Sequence, residues 1–344
     1  MAPCRRNEAV VALVDADPAQ PSRPFRNRLV PVLGAAGFGL LVYLIAELGP
    51  ARIAAQLHGL GSILPAVLAL TSAKYPLQTA GWRLALPGHA RPSWGESISA
   101  TITGDALGYL TWAGPFTGEP IRALLVRGSV PVAAGIAAGA VERAMYNVTA
   151  ALSVWAVLLF LVAATHRLTF VAVLVGSVLG ASALAAFVRG RLRARPAPDR
   201  QHPSPETAET RPVRGAAAFL EAAREIWRDR RGVLPAIALL CLAQHAILVG
   251  EAYLMLSTLS GGTTLQTALV FEAVTKIVNT AGMLVPGRLG VSEGGSALLA
   301  GALGFAASHG LSLALMRRVR ALIWAGVGLA LLPFQEARAR RSSR

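Results

Sequence analysis

The chain has 344 residues, of which 54% are hydrophobic and 15% charged, and it carries a formal net charge of +15. With charged residues well below the share of about 25% typical of soluble domains, this composition excludes an ordinary soluble protein and points to a polytopic, all-α membrane protein. The arginines cluster between apolar runs and follow no RNA-binding or zinc-finger pattern, so the charge reads as loops held on the cytoplasmic side; no nucleic-acid partner is expected.

Residues 1–27 open with Arg5 and Arg6, but the apolar run Val10–Val14 is too short for a signal-peptide core and ends at Asp15 and Asp17. Pro18, Pro21 and Pro24 break the remainder, and the segment reads as a disordered cytoplasmic tail. A single membrane domain is expected over residues 28–335. Its first spanning candidate is Leu29–Leu48, close to the roughly 20 residues a bilayer needs, and Arg23, Arg26 and Arg28 before it hold the N-terminus in the cytoplasm.

Ile63 to Leu86 is a second candidate, with Lys74 near its middle and Pro76 as a kink. Trp82 and Arg83 at its end suit the cytoplasmic interface. Ile98–Trp112 is short, holds Thr101, Thr103 and Asp105, and meets Gly114, Pro115, Gly118 and Glu119. It reads as half of a re-entrant hairpin, tolerated at that depth only where protein or a water-filled cavity covers it.

Val130–Ala164 contains a further crossing, with Glu142 and Arg143 on its early part; as sequence neighbours they do not face each other on a helix and each needs another partner. Gly135 and Gly139 suit close helix packing. Leu168–Val188 returns inside, and the basic loop 189–232 comes next, eleven arginines falling between Arg189 and Arg231. Within it residues 216–230 carry Phe219, Leu220, Ala223, Ile226 and Trp227 at helical spacing, an amphipathic segment for the anionic headgroup layer or for docking on a protein partner. Val233–Leu259 crosses outward. Thr280–Phe305 is then apolar but broken by Pro286 and several glycines, with Arg288 and Glu293 where hydrocarbon disfavours charge.

Leu311–Phe334 returns to a basic cytoplasmic tail, 336–344. This tracing puts Arg317, Arg318 and Arg320 at an outer helix end, against the positive-inside bias, so either they face an aqueous cavity or the last hairpin runs differently. Cys4 and Cys241 build neither a disulfide framework nor a metal site, and no metal or cofactor is expected. The two lysines, Lys74 and Lys276, both lie in apolar segments whereas every loop uses arginine; an ammonium differs physically from a planar fork, though two instances leave coincidence open.

Gly108–Leu125 and Gly282–Leu299 echo one another: each has Gly, Leu two residues on, Glu at an offset of 11 (119 − 108 and 293 − 282), then Ala-Leu-Leu. Under the topology above the two units enter from opposite sides, as in the inverted repeats of secondary transporters, whose broken helices point their ends at a polar substrate. The expected architecture is about 6–8 transmembrane helices plus two re-entrant or broken hairpins in an inverted repeat.

TGEPIR at Thr117–Arg122, VER at Val141–Arg143 and PGRLGVSEGG at Pro286–Gly295 resemble the flippase-like membrane region of lysylphosphatidylglycerol synthases, over about Leu29 to Phe334. The family includes stand-alone members, some tied to hopanoid or glycolipid pathways. In bifunctional members the membrane region is implied to move an aminoacylated lipid that a separate cytoplasmic domain makes. These 344 residues hold too little soluble sequence for such a domain, so synthase activity is not expected. Asp105 stands where many relatives carry Asn.

The leading expectation is a lipid transporter of the bacterial inner membrane, both termini cytoplasmic. Arg122, Arg143, Lys276 and Arg288 would hold a phosphate, and Glu119, Glu142 and Glu293 an amine headgroup, or else balance the cations; the lipid is a phospholipid, hopanoid or glycolipid. The bland counterpart is that these charges pair only with one another and lock the fold. A non-catalytic subunit that positions a lipid-biosynthetic enzyme through the basic loop is the alternative. A serine hydrolase at Gly290–Gly294 would need a strand-turn-helix elbow with His and an acid beside Ser292, which a membrane hairpin does not offer.

Overall fold

The computed structural model describes residues 49–88, 92–111, 115–165, 231–282 and 289–341, with isolated positions at 42–43, 46–47, 226 and 285. Apart from positions 42–43, 46–47, 226 and 231–232, the first spanning candidate, the 168–188 return, the basic loop with its 216–230 helix, and Arg288 fall outside these residues. The described residues form nine α-helices and no strand: α1 (Pro50–Gly61), α2 (Leu64–Ala85), α3 (Trp94–Leu110), α4 (Pro115–Leu125), α5 (Val132–Thr165), α6 (Leu234–Ser260), α7 (Leu265–Ala281), α8 (Val291–Ala302) and α9 (Ala307–Arg341).

The helix ends follow local chemistry. Proline at the first turn starts α1, α2 and α6, where its missing N–H has no intrahelical role. Ser93 and Glu96 close a full capping box on α3, and the Thr264 side chain accepts from the Thr267 amide to start α7. Gly261 ends α6 in the left-handed region at φ 74°.

Among the described residues two helices, Val132–Ala163 and Arg231–Ser260, are long and apolar enough to cross a membrane; α1 and α2, bent by 65° at their junction, form a third crossing if taken as one broken span. At 35 residues α9 is long enough, but arginines interrupt its apolar course. The hairpins are another matter. At about 1.5 Å per residue, the 17 residues of α3 and of α7 reach slightly less than a bilayer core, and the 11 and 12 of α4 and α8 about half of one.

The helix lengths repeat: α2–α5 have 22, 17, 11 and 34 residues and α6–α9 have 27, 17, 12 and 35. Packing repeats with them. α3 folds back on α4 and α7 on α8, each short helix leans on the long helix after it, and each 17-residue helix packs against the long helix of the other half, α3 on α9 and α7 on α5. α2 and α6 pack on each other and run antiparallel: Leu60 and Val67 meet Met255 and Leu256 in one apolar core, while Trp82 and Leu86 meet Ile237 and Cys241 in another.

Absent side chains set the closest crossings. A Cβ on Gly104 would meet the Gly118 carbonyl at 2.8 Å, and one on Gly118 would meet the Gly104 carbonyl at 2.7 Å, so α3 and α4 touch backbone to backbone. Gly135 faces Ala123, and Gly139 makes room for Glu119 and Arg122, so this glycine spacing on α5 shapes the site as well as the packing. One expectation is corrected here. Trp82 is fully buried, donating its indole N–H to the Gly135 carbonyl at 3.0 Å, instead of marking an interface; Arg83 lies over Trp94 with its guanidinium carbon 4.7 Å from the ring centre. Leu239, Leu298 and Phe334 face outward, as a lipid-facing surface requires.

Gly118→Val is expected to lower stability by about 1–3 kcal/mol, because the α3–α4 crossing must open to admit it. Gly95→Ala, which meets nothing within 4 Å, should change it by less than about 0.5 kcal/mol. Melting of the detergent-solubilised protein distinguishes the two.

Candidate functional site

Charged side chains gather inside the bundle, one group from each half. In the first, Glu119 on α4 is shared: Arg122, one turn on, reaches its Oε2 at 2.7 Å, and Arg143 from α5 donates to its Oε1 at 3.0 Å. Arg122 also stands 3.9 Å from Glu142, and its guanidinium lies over the Trp82 ring at 4.7 Å. Glu142 and Arg143, which cannot face each other, thus find separate partners on α4. Behind them a polar stripe on α2 carries Thr71, Lys74, Tyr75, Gln78 and Thr79 inward. Gln78 donates to Asp105 on α3 at 3.2 Å, and Lys74 stands 4.0 Å from the same carboxylate.

The second group is built on α9. Arg317 bridges Glu251 of α6 at 3.2 Å and Glu272 of α7 at 2.7 Å, and Arg320 pairs with Glu251 as well. Lys276 holds Glu272 at 2.8 Å, one turn away on α7. Arg318 donates to Glu293 of α8 at 2.9 Å, and the Ser292 hydroxyl to the same carboxylate at 2.7 Å. The three arginines lie about 15–20 Å into α9, so they are interior partners of carboxylates and not an outer helix end.

The two groups correspond. Glu119 and Arg143 are 24 residues apart, Glu293 and Arg318 are 25, and each pair joins a short helix to the long helix after it. Arg143 and Arg318 occupy the same position, the twelfth, of α5 and α9 (143 − 132 + 1 and 318 − 307 + 1). Counting likewise in α3 and α7 pairs Asp105 with Lys276. α2 and α6 begin alike, Leu64-Pro65-Ala66-Val67 and Leu234-Pro235-Ala236-Ile237. α2 touches both groups: Lys74 stands 4.0 Å from Asp105, and the ring of the neighbouring Tyr75 lies 4.8 Å from that of Trp324 on α9, one turn beyond Arg320.

Of the residues singled out from sequence, Glu119, Arg122, Glu142 and Arg143 are brought into one network, whereas Lys276 and Glu293 stand in the second. Glu119 and Glu293 pair with different arginines. Sequence reasoning left out Glu251, Glu272, Arg317, Arg318 and Arg320, though the three arginines were visible as an anomaly. His245 is buried, its Nε2 3.1 Å from the Thr149 hydroxyl and its ring 4.4 Å from Tyr146. No group of metal-binding side chains occurs among the described residues.

The family model for the lysylphosphatidylglycerol synthase TM region matches residues 29–329. The chain belongs to this family. Neither the curated proteins nor the solved structures gave a match. Membership agrees with the apolar helices: the chain is a membrane protein of a family associated with lipid modification.

Removing one partner of a buried pair leaves an uncompensated charge, at about 3–5 kcal/mol. Arg318→Met is therefore expected to destabilise the protein by that order, and adding Glu293→Leu to recover most of the loss. Denaturation of the two single variants and the double variant tests this; losses that simply add would show the pair to be uncoupled.

Proposed function

We propose that this family member binds the polar headgroup of a membrane lipid in the charged interior and moves it between leaflets of a bacterial inner membrane, acyl chains remaining in the bilayer. The observation that carries the reading is the paired placement of Glu119–Arg143 and Glu293–Arg318, one Glu–Arg pair joining the short helix of each half to the long helix after it. Exchanging α2–α5 with α6–α9 maps the helix order and most of the packing onto itself, and the antiparallel course of α2 and α6 is the relation an inverted repeat requires. Inverted repeats with broken helices place their sites at the interface of the repeats. The reading keeps the expectation from the sequence of 6–8 spans and two re-entrant hairpins, both termini in the cytoplasm.

A purely structural role for the charges is the competing account, and a polar lining supports transport over it. Gln78 Oε1, Gln244 Nε2, His245 Nδ1 and Trp324 Nε1 are buried and find no hydrogen-bond partner among the described residues. Unmet buried polar groups are uncommon in a structure whose interior serves packing alone.

Leaflet exchange of a labelled phospholipid in vesicles holding the purified protein should fall at least tenfold in the Glu119→Gln, Glu293→Gln double variant, if that variant retains its fold by melting. Unchanged exchange would sink the transport reading.

A further inference from the structure

The ion pairs differ systematically in which partner reaches the open. Glu251 and Glu293 side chains are 0% exposed, Glu272 5% and Glu119 12%; Arg143 is 29% exposed, Lys74 25%, Arg318 23% and Arg320 16%. Two residues depart from the pattern. Arg122 is sealed under Trp82, and Asp105, at 29%, is the one carboxylate with an equally open face among these pairs. The acids therefore stand behind the cations and fix their positions, and a molecule entering the interior meets ammonium and guanidinium groups first.

Lys74 stands on α2, which packs both on α5, the helix of Arg143, and on α9, the helix of Arg320. The Lys74 ammonium lies 5.8 Å from the Tyr75 ring, the Tyr75 ring stands 4.8 Å from that of Trp324, one turn beyond Arg320 on α9, and the Arg143 guanidinium lies 5.9 Å from the Tyr146 ring. Like charges drawn together raise one another's energy unless an anion sits among them. The carboxylates supply that only in part. Glu119 is divided between Arg122 and Arg143, Glu251 between Arg317 and Arg320, and Asp105 approaches Lys74 no closer than 4.0 Å. Arg143 Nε, moreover, has no acceptor among the described residues.

Resting on the reading that this interior takes a lipid headgroup, we propose that Lys74, Arg143 and Arg320 form a subsite for a phosphate group, that the lipid is one of net negative headgroup, and that Asp105 limits its affinity. Guanidinium and ammonium donors supply the charge-assisted hydrogen bonds a phosphate oxygen accepts. An amine headgroup would have to pass these cations to reach a buried glutamate.

The test uses the full chain in phosphatidylcholine nanodiscs, with binding measured for acyl-labelled phosphatidylglycerol, phosphatidylethanolamine and lysylphosphatidylglycerol, and with inorganic phosphate and glycerol 3-phosphate as soluble competitors. Phosphatidylglycerol should bind tightest, and Lys74→Gln and Arg320→Gln should each weaken it roughly tenfold, the effect of one charge-assisted hydrogen bond. Asp105→Asn, which keeps an acceptor for Gln78, should tighten binding, a gain that misfolding cannot produce. A preference for the cationic lipid, or phosphatidylglycerol binding indifferent to both glutamine variants, overturns the subsite. Competition by glycerol 3-phosphate as strong as by phosphatidylglycerol overturns the lipid as its source. Retention of no lipid of any headgroup defeats the underlying headgroup reading instead.

Discussion

A carboxylate in a low-dielectric interior must be met by a cation, and this fold is arranged to satisfy that requirement. Glu251 and Glu293 have no exposed side-chain surface, and each is held by arginines on α9. Because these partners sit on different helices, each of these pairs also fixes where the helices lie. α9 cannot slide along α6, α7 or α8 without stranding a buried charge, and α5 is tied to α4 in the same way through Glu119. Apolar contact alone fixes little between helices whose outer faces lie in lipid. The glycine crossings bring the backbones close, and the ion pairs set the register.

The same requirement is met on the short helices. α4 and α8, each about half as long as a bilayer core is thick, carry Glu119 at the fifth residue and Glu293 at the third. Each glutamate is met by an arginine of the next long helix, so the two form one unit, present in each half. The halves are not copies in charge, since Asp105 stands where the other half has Lys276. A lining with different charges on its two walls is what a molecule recognised from both sides would need.

Helix positions were largely legible in the sequence, and the reasons are local. Leu64–Ala85, Val132–Thr165 and Leu234–Ser260 lie within a few residues of their expected limits, because an apolar run of that length has few alternatives. The echo between Gly108–Leu125 and Gly282–Leu299 located both short helices. What sequence did not show was partnership. Glu119 finds Arg143 at a separation of 24 residues and Glu251 finds Arg317 at 66, and no helical periodicity links such positions. Trp82 misled for a related reason: an aromatic beside an arginine at a helix end has the signature of an interface, but its indole fills the space above Arg122. Lys74, noted only as an unusual lysine, stands 4.0 Å from Asp105 and next to Tyr75, whose ring packs on Trp324 of α9.

A headgroup can reach these cations only if their exposed edges face water inside the protein and not lipid. In a background without native cysteines, Cys4→Ser and Cys241→Ser, single cysteines introduced by Lys74→Cys, Arg143→Cys and Arg320→Cys can be challenged with a membrane-impermeant thiol reagent in vesicles. Leu239→Cys, on the outward face of α6, serves as the lipid-facing reference. A water-filled interior predicts rapid modification at positions 74, 143 and 320 and slow modification at 239. Protection of the three interior positions to the level of 239 would contradict it.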